Sequence, residues 1–164
     1  LFSTSKVIQP MSRKLPSKDY YRIRDPKNFH AAMRDDVKLL RSNRAYVSMT
    51  TVIMCCLDAL AAESGKATRG KFEAFVSKHF HDLCRELSAA CPGKKGEAIL
   101  YDNFRNGFAH LRGPKQKFAI AEDHELSGAW ADRIEIEGVG QLDGINVDRL
   151  AKEFVTLLDR LEKK

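Results

Sequence analysis

An arginine, an asparagine and a histidine lie within six residues of one another in the stretch Tyr101-Asp-Asn-Phe-Arg105-Asn106-Gly-Phe-Ala-His110-Leu-Arg-Gly-Pro114. Histidine titrates near neutrality and is the usual side chain for moving a proton in a reaction. Arginine stays charged and grips phosphate with a planar fork of donors. The two together in one short stretch point to chemistry on a phosphodiester. Apolar spacing predicts an amphipathic helix from about Glu97 to Arg112, stopped at Gly113-Pro114. At about 100° per residue, Leu100, Phe104, Phe108 and Leu111 fall within about 80° of arc and form its buried stripe. Asn106 and His110 are four residues apart and share a face roughly opposite, together with Ile99 and Asn103. Arg105 lies on the flank. It must reach round the helix, or the helix must bend at Gly107, for it to act with His110. The plainer alternative is a solvated histidine on an ordinary helix.

The remaining pattern is mainly helical. Asp25-Pro26 reads as a helix start, with a side-chain acceptor before Pro at the first helical position. Phe29, Met33, Val37 and Leu40 carry that first helix to about Ser42-Asn43. A second, the most apolar, runs from about Arg44 to Glu63. Thr68 can cap a third, whose Phe72, Phe75, Val76, Phe80, Leu83 and Leu87 make one apolar face ending near Cys91-Pro92-Gly93. After Gly113-Pro114 the pattern alternates. Lys117–Ala121 and Asp132–Glu137 read as a small β-hairpin, with Trp130 packing it onto the helices. Gly138–Gly144 reads as a turn region. Asn146 or Asp148 caps a last helix carrying Leu150, Phe154, Leu157, Leu158 and Leu161. The fold class expected is therefore mainly α: a bundle of about five helices with a small β-hairpin before the last one. Residues 25–164 form one domain behind a basic arm, residues 1–24.

Composition bounds the function. The 164 residues are 43% hydrophobic and 30% charged, with no apolar run approaching the ~18 residues of a membrane span. No signal pattern is evident, and the expectation is a cytoplasmic protein with no membrane partner. Cys55, Cys56, Cys84 and Cys91 form no Cys-x-x-Cys pair and read as reduced packing residues, with a Cys84–Cys91 bridge as the lesser alternative. The net charge of +6 is unevenly spread. Residues 1–24 hold six basic and one acidic residue, residues 66–115 ten and five, residues 116–164 seven and eleven. The Arg-His stretch thus sits in a basic segment that would attract an RNA backbone, against the alternative of a merely solvated surface.

Other constellations carry less. His79 and His81, with Asp82 and Cys84 close by, invite a metal, but side chains two apart on a helix diverge by about 200°. Gly65-Lys66-Ala-Thr-Arg69-Gly70-Lys71 lacks the Gly-Lys-Ser/Thr spacing of a phosphate-binding loop. Its Lys66, Arg69 and Lys71 are candidate phosphate contacts or a plain surface connection. Asp35-Asp36 reads as solvated charge.

Arg105-Asn106-Gly107-Phe108-Ala109-His110 resembles the Arg-x4–6-His signature of the HEPN superfamily, in which Asn often follows the Arg. Leu100-Tyr101-x-x-Phe104 before it is similar to that family's late helix. The resemblance implies a helical bundle, usually dimeric, and in many members a metal-independent endoribonuclease of toxin, defence or RNA-processing systems. It implies Arg105 and His110 as the catalytic pair, Asn106 as their support, and no cofactor or metal. RNA would be the substrate, approached by Lys66, Arg69, Lys71 and Arg112. Ile99 and Asn103 would sit at a homodimer interface, and an antitoxin or other regulatory protein would be the further partner. A non-catalytic dimeric adaptor or ligand-binding module is the alternative. Some HEPN toxins extend the motif to His-x-Tyr, a target of nucleotidylation; here that position is Arg112.

Overall fold

The computed structural model describes residues 26–62, 65–111 and 117–163, and for residues 26–28 and 109–111 the backbone alone. The expected basic arm, Asp25, Arg112 and the Gly113-Pro114 stop lie outside the described residues, as do the side chains of His110 and Leu111. Helices α1 (Pro26–Ser42) and α2 (Tyr46–Ala62) come first, followed by α3 (Arg69–His79) and α4 (His81–Ala90). Then α5 (Gly96–Ile99), a π-helical segment (Leu100–Arg105) and α6 (Asn106–Leu111) run on without a gap. Three strands, β1 (Phe118–Ala121), β2 (Ala131–Ile136) and β3 (Gly140–Asn146), precede α7 (Val147–Glu162). The protein is mainly helical with a small sheet before the last helix, as the sequence predicts.

One core joins these parts. Met49, Ile53, Met54 and Leu57 of α2 meet Phe72 and Val76 of α3, Leu83 and Leu87 of α4, Phe104, and Phe154, Leu157 and Leu158 of α7, all buried. Thr68 caps α3 by accepting from the Lys71 amide at 3.3 Å. Of the two candidates for the last helix, Asn146 is the cap: its side chain accepts from the Arg149 amide at 2.9 Å. Wholly buried, Asn146 also donates to Asp123 and to the Ala129 carbonyl, so every part of its amide is satisfied.

Three expectations are corrected. The third helix is two, because the chain turns at Phe80 (φ −127°, ψ 43°). Phe80 is buried edge-on to Trp130, so the bend lets α3 pack on α2 while α4 packs on β2. The hairpin is not β1 with β2. It is β2 with β3, antiparallel across Gly138 and Gly140, both at positive φ, and β1 pairs parallel with β3 to give the order β1-β3-β2. Gly138–Gly144 is therefore mostly the central strand rather than a turn. Gly144 serves close approach: a Cβ there would stand 3.2 Å from Cδ1 of Ile134. Third, the motif helix is not a regular α-helix.

The chain enters that helix through a tight fit. A Cβ on Gly96 would lie 1.9 Å from the Cys84 carbonyl oxygen, and the Gly96 amide donates to Ser88 Oγ at 2.7 Å. Gly96 thus lets α5 start directly against the α4 backbone. Gly96→Ala is expected to lower the unfolding free energy in urea by about 2 kcal/mol or more, since backbone must give way. Gly70→Ala, with open space at its Cβ and a helical position, is expected to be neutral or stabilising by up to about 1 kcal/mol. Equal effects at the two sites would contradict this packing.

Candidate functional site around Arg105

The motif stretch spaces its apolar residues Leu100, Phe104 and Phe108 by four. Each such step overshoots a 3.6-residue turn by about 40°, so a regular helix would spread the three side chains over about 80° of its circumference. The π-helical segment corrects this. The Asn106 amide donates to the Tyr101 carbonyl five residues back, which takes more residues into the turn. Leu100, Phe104 and Phe108 are all buried as a result. The Asn103 side-chain amide donates to the Ile99 carbonyl at 3.3 Å, where the turn begins to widen.

The widened turn carries the polar cluster. Arg105 Nη2 donates to Asp58 Oδ2 of α2 at 2.7 Å, and Nη1 donates to Asn106 Oδ1 at 2.8 Å. Both members of the ion pair are largely covered, with side chains 22% and 17% exposed. The hydrogen bond from Arg105 to Asp58 raises the Arg105 pKa above its ordinary value; burial alone would lower it. The guanidinium also lies 5.3 Å from the centre of the Tyr101 ring. Arg69 lies 5.5 Å from the same ring, and Phe72 meets it edge-on. Tyr101 thereby has two guanidinium groups near its ring.

These contacts revise the expected site. Arg105 is tied to its neighbour Asn106 and, through Asp58, to α2. His110 follows one turn later on the α6 backbone. Ile99 is corrected outright: it is 1% exposed and belongs to the core, so it cannot meet a second copy. Its burial follows from the direct packing of α5 on α4, which turns this side of the helix inward. Asn103 stays half-buried at the surface.

The basic residues divide. Arg69 is taken up by the protein itself, donating to Glu73 at 2.6 Å and through both Nη atoms to Asp102 at 3.1 and 2.9 Å. It clamps the π-helical segment to α3. Lys71 lies on another face of α3, where its Nζ approaches the Ala62 carbonyl at 3.4 Å. Lys66 is exposed in the preceding loop. Sequence spacing missed the residues that do gather near Arg69. A cleft of about 320 Å³ is lined by Arg69, Lys94, Lys95, Asp102 and Asn103. It shares Lys94 with a second, of about 450 Å³, lined by Lys117 and Arg133 beside Cys91 and Asp143. The signal lay in Lys94-Lys95, but nothing local brings Lys117 or Arg133 to it; the sheet does.

The thiols are free among the described residues, and Cys84 and Cys91 do not bridge. Burial pushes Cys56 and Cys84 up to about 12. Burial and the hydrogen bond to Asp143 raise Cys91 to about 11. Such thiols stay protonated near neutrality and are poor nucleophiles. Among the described residues no group of three His, Cys, Asp or Glu side chains is placed to hold a metal, and no helix is long and apolar enough to cross a membrane. Compared with known proteins, the chain matches no protein-family model, no curated protein and no solved structure.

Cys55 is exposed on α2, one turn before Asp58, unlike the buried Cys56 and Cys84. Brief N-ethylmaleimide treatment of the folded protein is expected to label Cys55 first, Cys91 more slowly, and Cys56 and Cys84 only in denaturant. Peptide mass spectrometry reads this order. Labelling of Cys84 at the rate of Cys55 would contradict the packing of α4.

Proposed function

We propose that the protein is a metal-independent endoribonuclease acting through Arg105, Asn106 and His110. The observation that carries the reading is the fixing of Arg105 in a π-helical turn by Asp58 and Asn106, directly before the helix that bears His110. Widened turns of this kind recur at functional sites, because they trade regular hydrogen bonding for a particular side-chain placement. An arginine held in place gives electrostatic stabilisation without reorganising during the reaction.

In the reaction, the ribose 2′-oxygen attacks the adjacent phosphorus. The new bond is 2′-O–P and the bond that breaks is P–O5′. His110 takes the 2′-hydroxyl proton, a solvent water protonates the departing 5′-oxygen, and His110 then returns its proton to the solvent. Arg105 stabilises the charge on the pentacoordinate phosphorus, and Asn106 holds Arg105 on the side of His110. The products are a 2′,3′-cyclic phosphate and a 5′-hydroxyl. Asp58 positions Arg105 and does not touch substrate. The RNA backbone would lie along the two clefts that share Lys94. Pairing of two copies, which would bring two motifs to one site, and control by an antitoxin belong to the same reading. Among the described side chains, those available for pairing are then Asn103 and Asn106, without Ile99.

A second reading, a non-catalytic helical adaptor or ligand-binding module, draws on the same ion pair. An arginine neutralised by Asp58 also serves simply to tie the motif helix to α2. Single-stranded RNA incubated with the protein in EDTA separates the two. Cleavage to cyclic-phosphate ends is expected, falling by about 10²–10⁴-fold in His110→Ala and in Arg105→Ala. In Lys94→Ala, Lys117→Ala the slope of RNA affinity against salt is expected to flatten by about 0.7 for each phosphate that is no longer neutralised. Cleavage that is absent, that needs a divalent metal, or that is untouched by His110→Ala would overturn the nuclease reading.

A further inference from the structure

A groove of about 590 Å³ opens where α1, α2, α3 and α7 meet, on the side of α3 that carries Lys71 rather than Arg69. Its volume is that of a site for a small organic ligand, for which a range of about 300–1,000 Å³ is usual. Phe75 and Leu161 contribute to an apolar floor, and His30, Lys71, Lys78 and His79 supply the polar groups. No acidic side chain lines it among the described residues. Asp159 and Glu162, on either side of Leu161 along α7, are paired with Arg34 instead.

The arrangement has an order. Lys71 and Lys78 are seven residues apart on α3, on one face and about 10 Å from each other along the axis. Their four-carbon stems are long enough for both ammonium groups to reach a single phosphate, that of Lys71 leaving its 3.4 Å contact with the Ala62 carbonyl to do so. Beside them on the helix, Phe75 and His79 hold their rings 4.6 Å apart, tilted by 44°, and offer ring surface to an aromatic body. Across the groove, the buried Nδ1 of His30 has no hydrogen-bond partner among the described residues. A buried polar nitrogen left unpaired is costly, and a bound group that pairs with it would relieve that cost.

We propose that this groove binds a phosphorylated aromatic metabolite of mononucleotide size, with its phosphate on Lys71 and Lys78 and its ring against Phe75 and His79. The site is separate from the Arg105 cluster and does not depend on the nuclease reading. Calorimetric titration of the full chain with AMP, adenosine and inorganic phosphate tests it. AMP is expected to bind saturably and one-to-one, with adenosine and phosphate each about tenfold weaker or more. Lys71→Ala, Lys78→Ala is expected to weaken AMP binding at least about tenfold while leaving the unliganded unfolding midpoint in place. Phe75→Leu is expected to weaken AMP but not phosphate. No saturable binding of AMP at millimolar concentration would overturn the proposal. So would phosphate binding as tightly as AMP, or AMP binding that survives the double lysine substitution and is lost in Arg105→Ala.

Discussion

The ion pair between Arg105 and Asp58 is the constraint around which the motif helix is arranged. It spans from the end of the π-helical segment to α2, the most apolar helix and the centre of the core. A guanidinium this covered needs its partner, because an unpaired charge at such a depth is strongly unfavourable. Asp58 supplies that partner, and Asn106 occupies a second donor. The wide turn, the burial of Phe104 and Phe108, and the nearness of Tyr101 to both Arg69 and Arg105 are mutually consistent with it. Also near Tyr101, Arg69 performs a matching role toward Asp102 and Glu73.

On the proposed nuclease reading, the same arrangement would serve the chemistry. Arginine is useful at a phosphoryl centre when its orientation is set before the substrate arrives. Here the orientation is set by a carboxylate from α2 and by the neighbouring amide. The cost is that part of the cation's field is already answered by Asp58. On that reading a phosphate at this site would meet a positioned donor fork more than a free charge, and the added attraction would come from Lys94, Lys95 and Lys117 of the two clefts.

Much of the fold is legible in the sequence where local chemistry and apolar period agree. Thr68 and Asn146 are caps because their short side chains reach the next turn's amides, and that is a local property. The departures share a cause. Phe80 continues an unbroken apolar spacing, so the bend there is visible only once Trp130 and β2 are in place to receive it. Gly140 and Gly144 look like turn residues, yet Gly144 is needed for close approach of Ile134 in a central strand. The strict spacing of four in Leu100, Phe104 and Phe108 does hold the trace of the π-helical segment, since it drifts on a regular helix. Ile99 reads as outward when that drift is left uncorrected, and the contact of Gly96 with Cys84 that turns it inward is tertiary. At the site, the residue types of the motif are evident, whereas Asp58, forty-seven positions away, carries no local mark of its role.

A double-mutant cycle across Asp58→Ala and Arg105→Ala, measured by urea unfolding, tests the central claim most directly. A real, covered pair predicts a coupling of about 1–3 kcal/mol, with either single substitution costing nearly as much as both together. Additive effects with no coupling would mean that Arg105 is not held by Asp58, and the positioning of the motif would have to be explained in another way.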